Sequence, residues 1–151
     1  MSNVNHRVDM LVEEMNQFET WEEKYAHIIK CGKFLGNFPV HHRNDDNLVK
    51  GCQSQVWIYA KMNEHDQVEY YADSDAAIVR GIVSLLLRVY SNLPPSEILE
   101  LSDAFIDQIG LRQHLSMSRA NGLNSMLKQM KLYALAFQTL LELKNKALKK
   151  K

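Results

Sequence analysis

Gln53-Ser54-Gln55-Val56-Trp57-Ile58-Tyr59-Ala60-Lys61-Met62 is the stretch whose reading decides the fold. Val56, Ile58, Ala60 and Met62 share one parity, and Gln53, Gln55, Trp57, Tyr59 and Lys61 share the other. A side-chain period of two is what a strand with one buried face requires. The polar run Asn63 to Asp66 can turn the chain back. Val68-Glu69-Tyr70-Tyr71-Ala72 then alternates again, with Val68, Tyr70 and Ala72 on one side, so an antiparallel hairpin is the economical arrangement. Trp57, Tyr59, Tyr70 and Tyr71 read as braces of the sheet core rather than as a base-stacking platform, because no basic stripe accompanies them.

On either side of the hairpin the apolar spacing is helical. Val8, Leu11, Val12 and Met15 mark a first helix. Thr20 and Glu23 stand at capping-box spacing for a second, which would turn Trp21, Tyr25, Ile28 and Ile29 inward. Gly32, Gly36 and Pro39 weaken that pattern, and Pro39 to Asn47, with His41, His42, Asp45 and Asp46, reads as a polar loop leading to Gly51-Cys52. After the hairpin, Ser74 or Asp75 can cap a helix carrying Ile78, Val79, Ile82, Leu85, Leu86 and Val89. Pro94-Pro95 stops it. Short helical pieces are expected over 96–101 and 102–109, with Gly110 as a stop and a loop from Leu111 to Ser118. The last helix offers Leu123, Met126, Leu127, Met130, Ala134, Phe137 and Leu141 for burial, and a basic tail over 144–151 is expected to fray.

These elements make an α+β fold, a small antiparallel sheet packed with several helices, in one domain over 1–151. With 151 residues, 46% of them apolar, the chain can bury a core of ordinary size. Eighteen basic residues balance eighteen acidic ones, so no net field favours nucleic acid or a membrane. Acidic residues outnumber basic ones up to Asp75 and the reverse holds after it, a gradient that suits either a protein partner or ordinary solvated faces. Met1-Ser2-Asn3-Val4-Asn5-His6-Arg7 has no apolar run of signal-peptide length and no later segment resembles a membrane span, so a cytoplasmic protein is expected. Its two cysteines, Cys31 and Cys52, are then expected to be reduced thiols.

Cys52 follows Gly51, and a glycine there frees the backbone for a turn that could present the thiol at an exposed tip. The same residue also suits the role of a small buried hydrophobe, and local sequence alone does not choose. Lys50 is close enough in sequence to favour a thiolate, but one lysine is a weak activator. Cys31, between Lys30 and Gly32, reads as a packed or semi-exposed thiol, and it could pair with Cys52 only if the fold brings the two together. The adjacent His41-His42, with no paired cysteine motif, suggest no metal site, and two cysteines are too few for a cluster scaffold. Phosphate-cradling, nucleophile-elbow and zinc-protease motifs are missing from the sequence, so no bound cofactor is expected.

Gly51-Cys52-Gln53-Ser54-Gln55-Val56-Trp57 resembles the signature of the SufE family and its CsdE relatives. The resemblance continues in order through Trp21-Glu22-Glu23-Lys24-Tyr25, Asp73-Ser74-Asp75-Ala76-Ala77-Ile78-Val79-Arg80-Gly81, His114-Leu115-Ser116 and Ser118-Arg119-Ala120-Asn121-Gly122-Leu123, covering about Phe18 to Met130. It implies an α+β fold similar to the IscU-type scaffold, with Cys52 in a loop at one end of the sheet as the sulfur-accepting thiol. The donor implied is a SufS- or CsdA-type cysteine desulfurase, which supplies the pyridoxal phosphate, and the destination an iron-sulfur scaffold of SufBCD type. Gly51, Gln53, Ser54, Gln55, Asp75 and Arg119 match positions that support or face the partner. Asp75 as a helix cap and Arg119 as an anchor of the last helix are equally good structural roles. Met117 stands where the family pattern has proline between two serines, which bears on how the last helix starts. Two other classes compete: a non-catalytic adaptor that docks on the desulfurase through the same surface, and a thiol oxidoreductase, disfavoured by the lack of a Cys-x-x-Cys pair.

Overall fold

A computed structural model describes residues 3–149. Its elements are α1 (Asn3–Asn16), α2 (Trp21–Gly32), β1 (Val56–Met62), β2 (Val68–Ser74), α3 (Ala77–Tyr90), α4 (Pro95–Glu100), α5 (Ala104–Gln108) and α6 (Met117–Lys149). The class is α+β, as the periodicity requires. β1 and β2 pair antiparallel with Ile58 opposite Ala72 and Tyr59 opposite Tyr71. Asn63 forms the turn between them, its side-chain oxygen accepting from the backbone N–H groups of His65 and Gln67. The edges are covered: Val49 N–H donates to Val56 C=O and Ile58 N–H to Asn47 C=O, while Val68 exchanges hydrogen bonds with Asn92 and Leu93.

Alternation then places the apolar parity. Val56, Ile58 and Ala60 from β1 and Val68, Tyr70 and Ala72 from β2 are buried, and they join Ile82, Leu85, Leu86 and Val89 of α3 and Leu123, Leu127 and Met130 of α6 in one hydrophobic cluster. Each fully buried large aliphatic side chain contributes roughly 1.5–3 kcal/mol, so this face dominates the fold's stability. α6 is also fixed by polar contacts: Tyr70 donates its hydroxyl proton to Met130 C=O at 2.6 Å, and Tyr133 donates to the buried Asn47 side-chain oxygen at 2.7 Å. α2 crosses α3 at Gly81, where a Cβ would overlap the Ile28 carbonyl. Only glycine permits that approach.

Several expectations change. Ile29 is exposed, because the inward stripe of α2 follows Ile28, Cys31 and Gly32. Thr20 does cap α2, accepting from Glu23 N–H, yet its hydroxyl also donates to the Glu23 carboxylate rather than leaving that carboxylate to reach back to the backbone. Trp57, Tyr59 and Tyr71 lie half-buried on the outer face of the hairpin, not in the core. There His42 stacks on Tyr59 at 3.6 Å between ring centres, and the Arg43 guanidinium lies over Trp57. Strand β2 runs on to Ser74, and neither Ser74 nor Asp75 caps α3, whose first turn follows an extended Ala76 without a side-chain cap. α3 closes at Tyr90, before the prolines; Pro95 instead opens α4, where a missing N–H costs nothing. α6 begins at Met117 without proline, since Ser116 Oγ accepts from Arg119 N–H. It continues helical through Lys149, well into the segment whose composition predicts fraying; Lys150 and Lys151 lie outside the described residues.

Candidate functional site

The hydrogen bond between Val49 and Val56 closes a loop over residues 50–55, and Cys52 sits within it at the entrance to the hairpin. Gly51 adopts φ +92°, a conformation that side-chain-bearing residues rarely take, and this turns Cys52 toward the first turns of α6. The Cys52 Sγ lies 3.6 Å from Gly122 C=O, to which the thiol donates. A Cβ at Gly122 would stand 3.2 Å from that sulfur, so the thiol is seated where α6 has no side chain. A small cavity of about 40 Å³ adjoins it, bordered by Gln53, Ser54, Val79, Ile82, Arg119 and Met126. That is room for a water or a single added sulfur atom.

Half-burial pushes the Cys52 thiol above its ordinary range. Ionisation would also forfeit the hydrogen bond to Gly122, a loss that acts in the same direction. Lys50 does not border the thiol cavity, lying instead with Asp45, Asp46 and Lys128 along a separate groove. The free protein therefore holds Cys52 as a protonated thiol at neutral pH.

The neighbouring positions act through the backbone. Gln55 C=O accepts from the Ser74 hydroxyl at 2.7 Å and from Asp75 N–H at 3.2 Å, while Gln55 N–H donates to Asp75 Oδ1 at 3.0 Å. Asp75 thus ties the end of the Cys52 loop to the end of β2. Asp73, just upstream, forms ion pairs with Arg43 and Arg80. Arg119 borders the thiol cavity from α6; it is exposed, and its guanidinium has no hydrogen-bond or ion-pair partner among the described residues. Separated parts of the sequence also meet here: the Trp21 ring stacks on His114 at 3.8 Å, and Tyr25, His114, Ser116 and Arg119 share a second shallow depression.

A family model described as "SufE: Fe-S metabolism associated domain" matches residues 9–134, most of the chain. The chain belongs to the SufE family. Its role accordingly lies in iron-sulfur metabolism. A solution structure of a hypothetical protein from Thermus thermophilus superposes with a TM-score of 0.73 at 18% identity, covering 88% of this chain and 96% of that one, which bears on the fold. No described helix of this SufE protein is long and apolar enough to cross a membrane.

Gly51, Cys52, Gln53, Ser54, Gln55, Asp75 and Arg119 all fall at or beside the thiol loop. Sequence reasoning missed the seat itself: Gly122, Val79, Ile82 and Met126 are separated from Cys52 by at least a strand pair. Gly122 stood in the sequence as part of the Ser118-Arg119-Ala120-Asn121-Gly122-Leu123 motif, but nothing local to it pointed to Cys52. Also missed was the surrounding of Cys31, which is buried with His27 and Glu14 nearby.

Proposed function

We propose that Cys52 accepts sulfane sulfur from the persulfide of a pyridoxal-phosphate-dependent cysteine desulfurase of SufS or CsdA type and carries it toward a scaffold of SufBCD type in the cytoplasm. The observation that carries this reading is a thiol seated at a loop entrance beside a cavity of one-atom size, with an unpaired Arg119 at its rim. Cys52 sulfur attacks the outer sulfur of the desulfurase persulfide. One sulfur-sulfur bond forms as the other breaks, the desulfurase cysteine leaves as thiolate, and that thiolate takes up the proton given up by Cys52. The exchange is redox-neutral and follows thiol-disulfide exchange, in which thiolate fraction and access control the rate.

Because burial keeps Cys52 protonated in the free protein, docking has to complete the site. Arg119 is positioned to pair with an anionic group there, a persulfide or a partner carboxylate. Pyridoxal phosphate belongs to the partner and performs the carbon-sulfur cleavage. In this account the chain is a transpersulfuration partner that stimulates the desulfurase by clearing its persulfide, not a stand-alone enzyme.

The test is desulfurase turnover, read as alanine release, with wild-type protein, Cys52→Ser and Arg119→Ala. Stimulation is expected to vanish in the first and fall in the second at unchanged folding. If Cys52→Ser stimulates as well as wild type, the protein is an adaptor and the carrier reading fails.

A further inference from the structure

On the side of α3 away from the Cys52 loop, three donors from two helices converge. His27 Nε2 lies 2.6 Å from Glu14 Oε2 and 3.5 Å from Cys31 Sγ. One candidate ligand atom from each of the three falls within 4.8 Å of the other two. We propose that Glu14, His27 and Cys31 form a binding site for a thiophilic divalent cation of the Zn2+ class, with a fourth coordination position facing the adjoining cavity.

The geometry is close to what such an ion demands. Zinc bonds of about 2.0–2.1 Å to nitrogen and about 2.3 Å to sulfur, at a tetrahedral angle, set the nitrogen-sulfur separation at roughly 3.5 Å, the observed value. The corresponding nitrogen-oxygen separation is roughly 3.3 Å, so Glu14 has to withdraw by about 0.7 Å, within the reach of a half-buried side chain with three rotatable bonds. His27 and Cys31 stand at i and i+4 on α2, a spacing that puts both on one helix face and serves paired metal ligands elsewhere. The set mixes a carboxylate, an imidazole and a thiol, the donor types zinc accepts.

The surroundings suit a ligand cluster. Arg88 holds Glu14 by both oxygens, Nη1 to Oε2 at 3.0 Å and Nη2 to Oε1 at 2.9 Å. When Oε2 turns to a metal, the contact to Oε1 can remain as the outer hydrogen bond that orients a ligating carboxylate. The Phe18 ring lies 4.6 Å from the His27 ring and fixes its plane. Arg88 also reaches the Cys31 thiol, so Glu14, His27, Cys31 and Arg88 form one polar cluster with a fixed positive charge at its edge. A carboxylate and a thiolate offset the dication, Arg88 leaves the cluster with one net positive charge, and binding releases the Cys31 proton to solvent. A cavity of about 630 Å³ bordered by Phe34, Leu35 and Leu87 leaves space for a water or an exogenous ligand at the fourth position. This site lies along α3 from the Cys52 seat, since Val79 borders one and Arg88 the other, about 13 Å apart along the helix axis.

The test is Co2+ titration of metal-free full-length protein, followed in the near-ultraviolet for a thiolate-to-cobalt charge-transfer band. One equivalent of Co2+ is expected to saturate the band and Zn2+ to displace it. Cys31→Ser is expected to abolish it and His27→Gln to weaken binding at least tenfold, while Cys52→Ser keeps it. A second readout needs no variant: Zn2+ should slow alkylation of Cys31 in the wild-type protein, resolved by peptide mass. Absence of the band in wild type, its loss in Cys52→Ser with retention in Cys31→Ser, or no Zn2+ protection of Cys31 overturns the proposal.

Discussion

Replacing Gly122 with alanine sets two effects of similar size against each other. Alanine is favoured over glycine in a helix interior by about 0.8–1.0 kcal/mol. Against that, the new Cβ stands 3.2 Å from Cys52 Sγ and 3.8 Å from Cys52 Cα, so the sulfur has to give by a few tenths of an ångström. The sulfur is on a loop and half-exposed, and the cost of moving it is mainly its hydrogen bond to Gly122 C=O, about 0.5–1.5 kcal/mol. The two nearly cancel, so stability should stay within about 1 kcal/mol of wild type, or roughly 2–4 °C in Tm for a chain of this size. Reactivity should change more. Burial holds the thiol pKa above its ordinary value, and moving the sulfur outward relieves that burial. Below the pKa, each unit by which it falls raises the thiolate fraction about tenfold. Iodoacetamide alkylation at pH 8, resolved by peptide mass with Cys31 as internal reference, should therefore speed up at Cys52, and the inflection of rate against pH should move down. Slower alkylation of Cys52, or a Tm loss above roughly 8 °C, would refute the seat as described.

Two other substitutions probe the frame around the loop. Gly81→Ala drives a Cβ into a backbone oxygen of α2, where no side chain can yield, so denaturant titration should show a loss above about 3 kcal/mol; a near-neutral result would contradict the close crossing. Asp75→Ala removes the acceptor for Gln55 N–H, with about 0.5–1.5 kcal/mol lost and faster amide exchange at Gln55, whereas Asp75→Asn, which keeps an acceptor oxygen, should restore protection. Equal exchange in the two variants would show that Asp75 does not hold the loop.

The hairpin was legible because two strands in sequence carry a strict alternation, and one slipped residue would expose the whole apolar set. Gly51-Cys52 was legible as a turn with a thiol, and the family pattern supplied the sulfur-transfer chemistry proposed for it. What lay beyond reach was long-range. Asp75 reads as a cap because acids precede helices, yet in the fold the nearest unpaired N–H is that of Gln55, brought opposite by strand pairing. Trp57, Tyr59 and Tyr71 read as core because aromatic residues are large and apolar, but their parity assigns them to the outer face, where His42 and Arg43 cover them. Ile29 fell on the wrong side of α2 because adjacent isoleucines leave the stripe ambiguous by one position. Glu14 and His27 gave no hint of meeting, since nothing in the spacing of α1 and α2 fixes how those helices face each other.

The central claim concerns one sulfur atom on one side chain. Intact-mass analysis after incubation with a cysteine desulfurase and cysteine, followed by peptide mapping without reductant, measures it directly. The account predicts addition of one sulfur atom to the wild-type protein, confined to the peptide carrying Cys52, reversed by thiol reductant and absent in Cys52→Ser. An unmodified wild-type protein during active desulfurase turnover, or a sulfur found on Cys31 with Cys52 untouched, would contradict it.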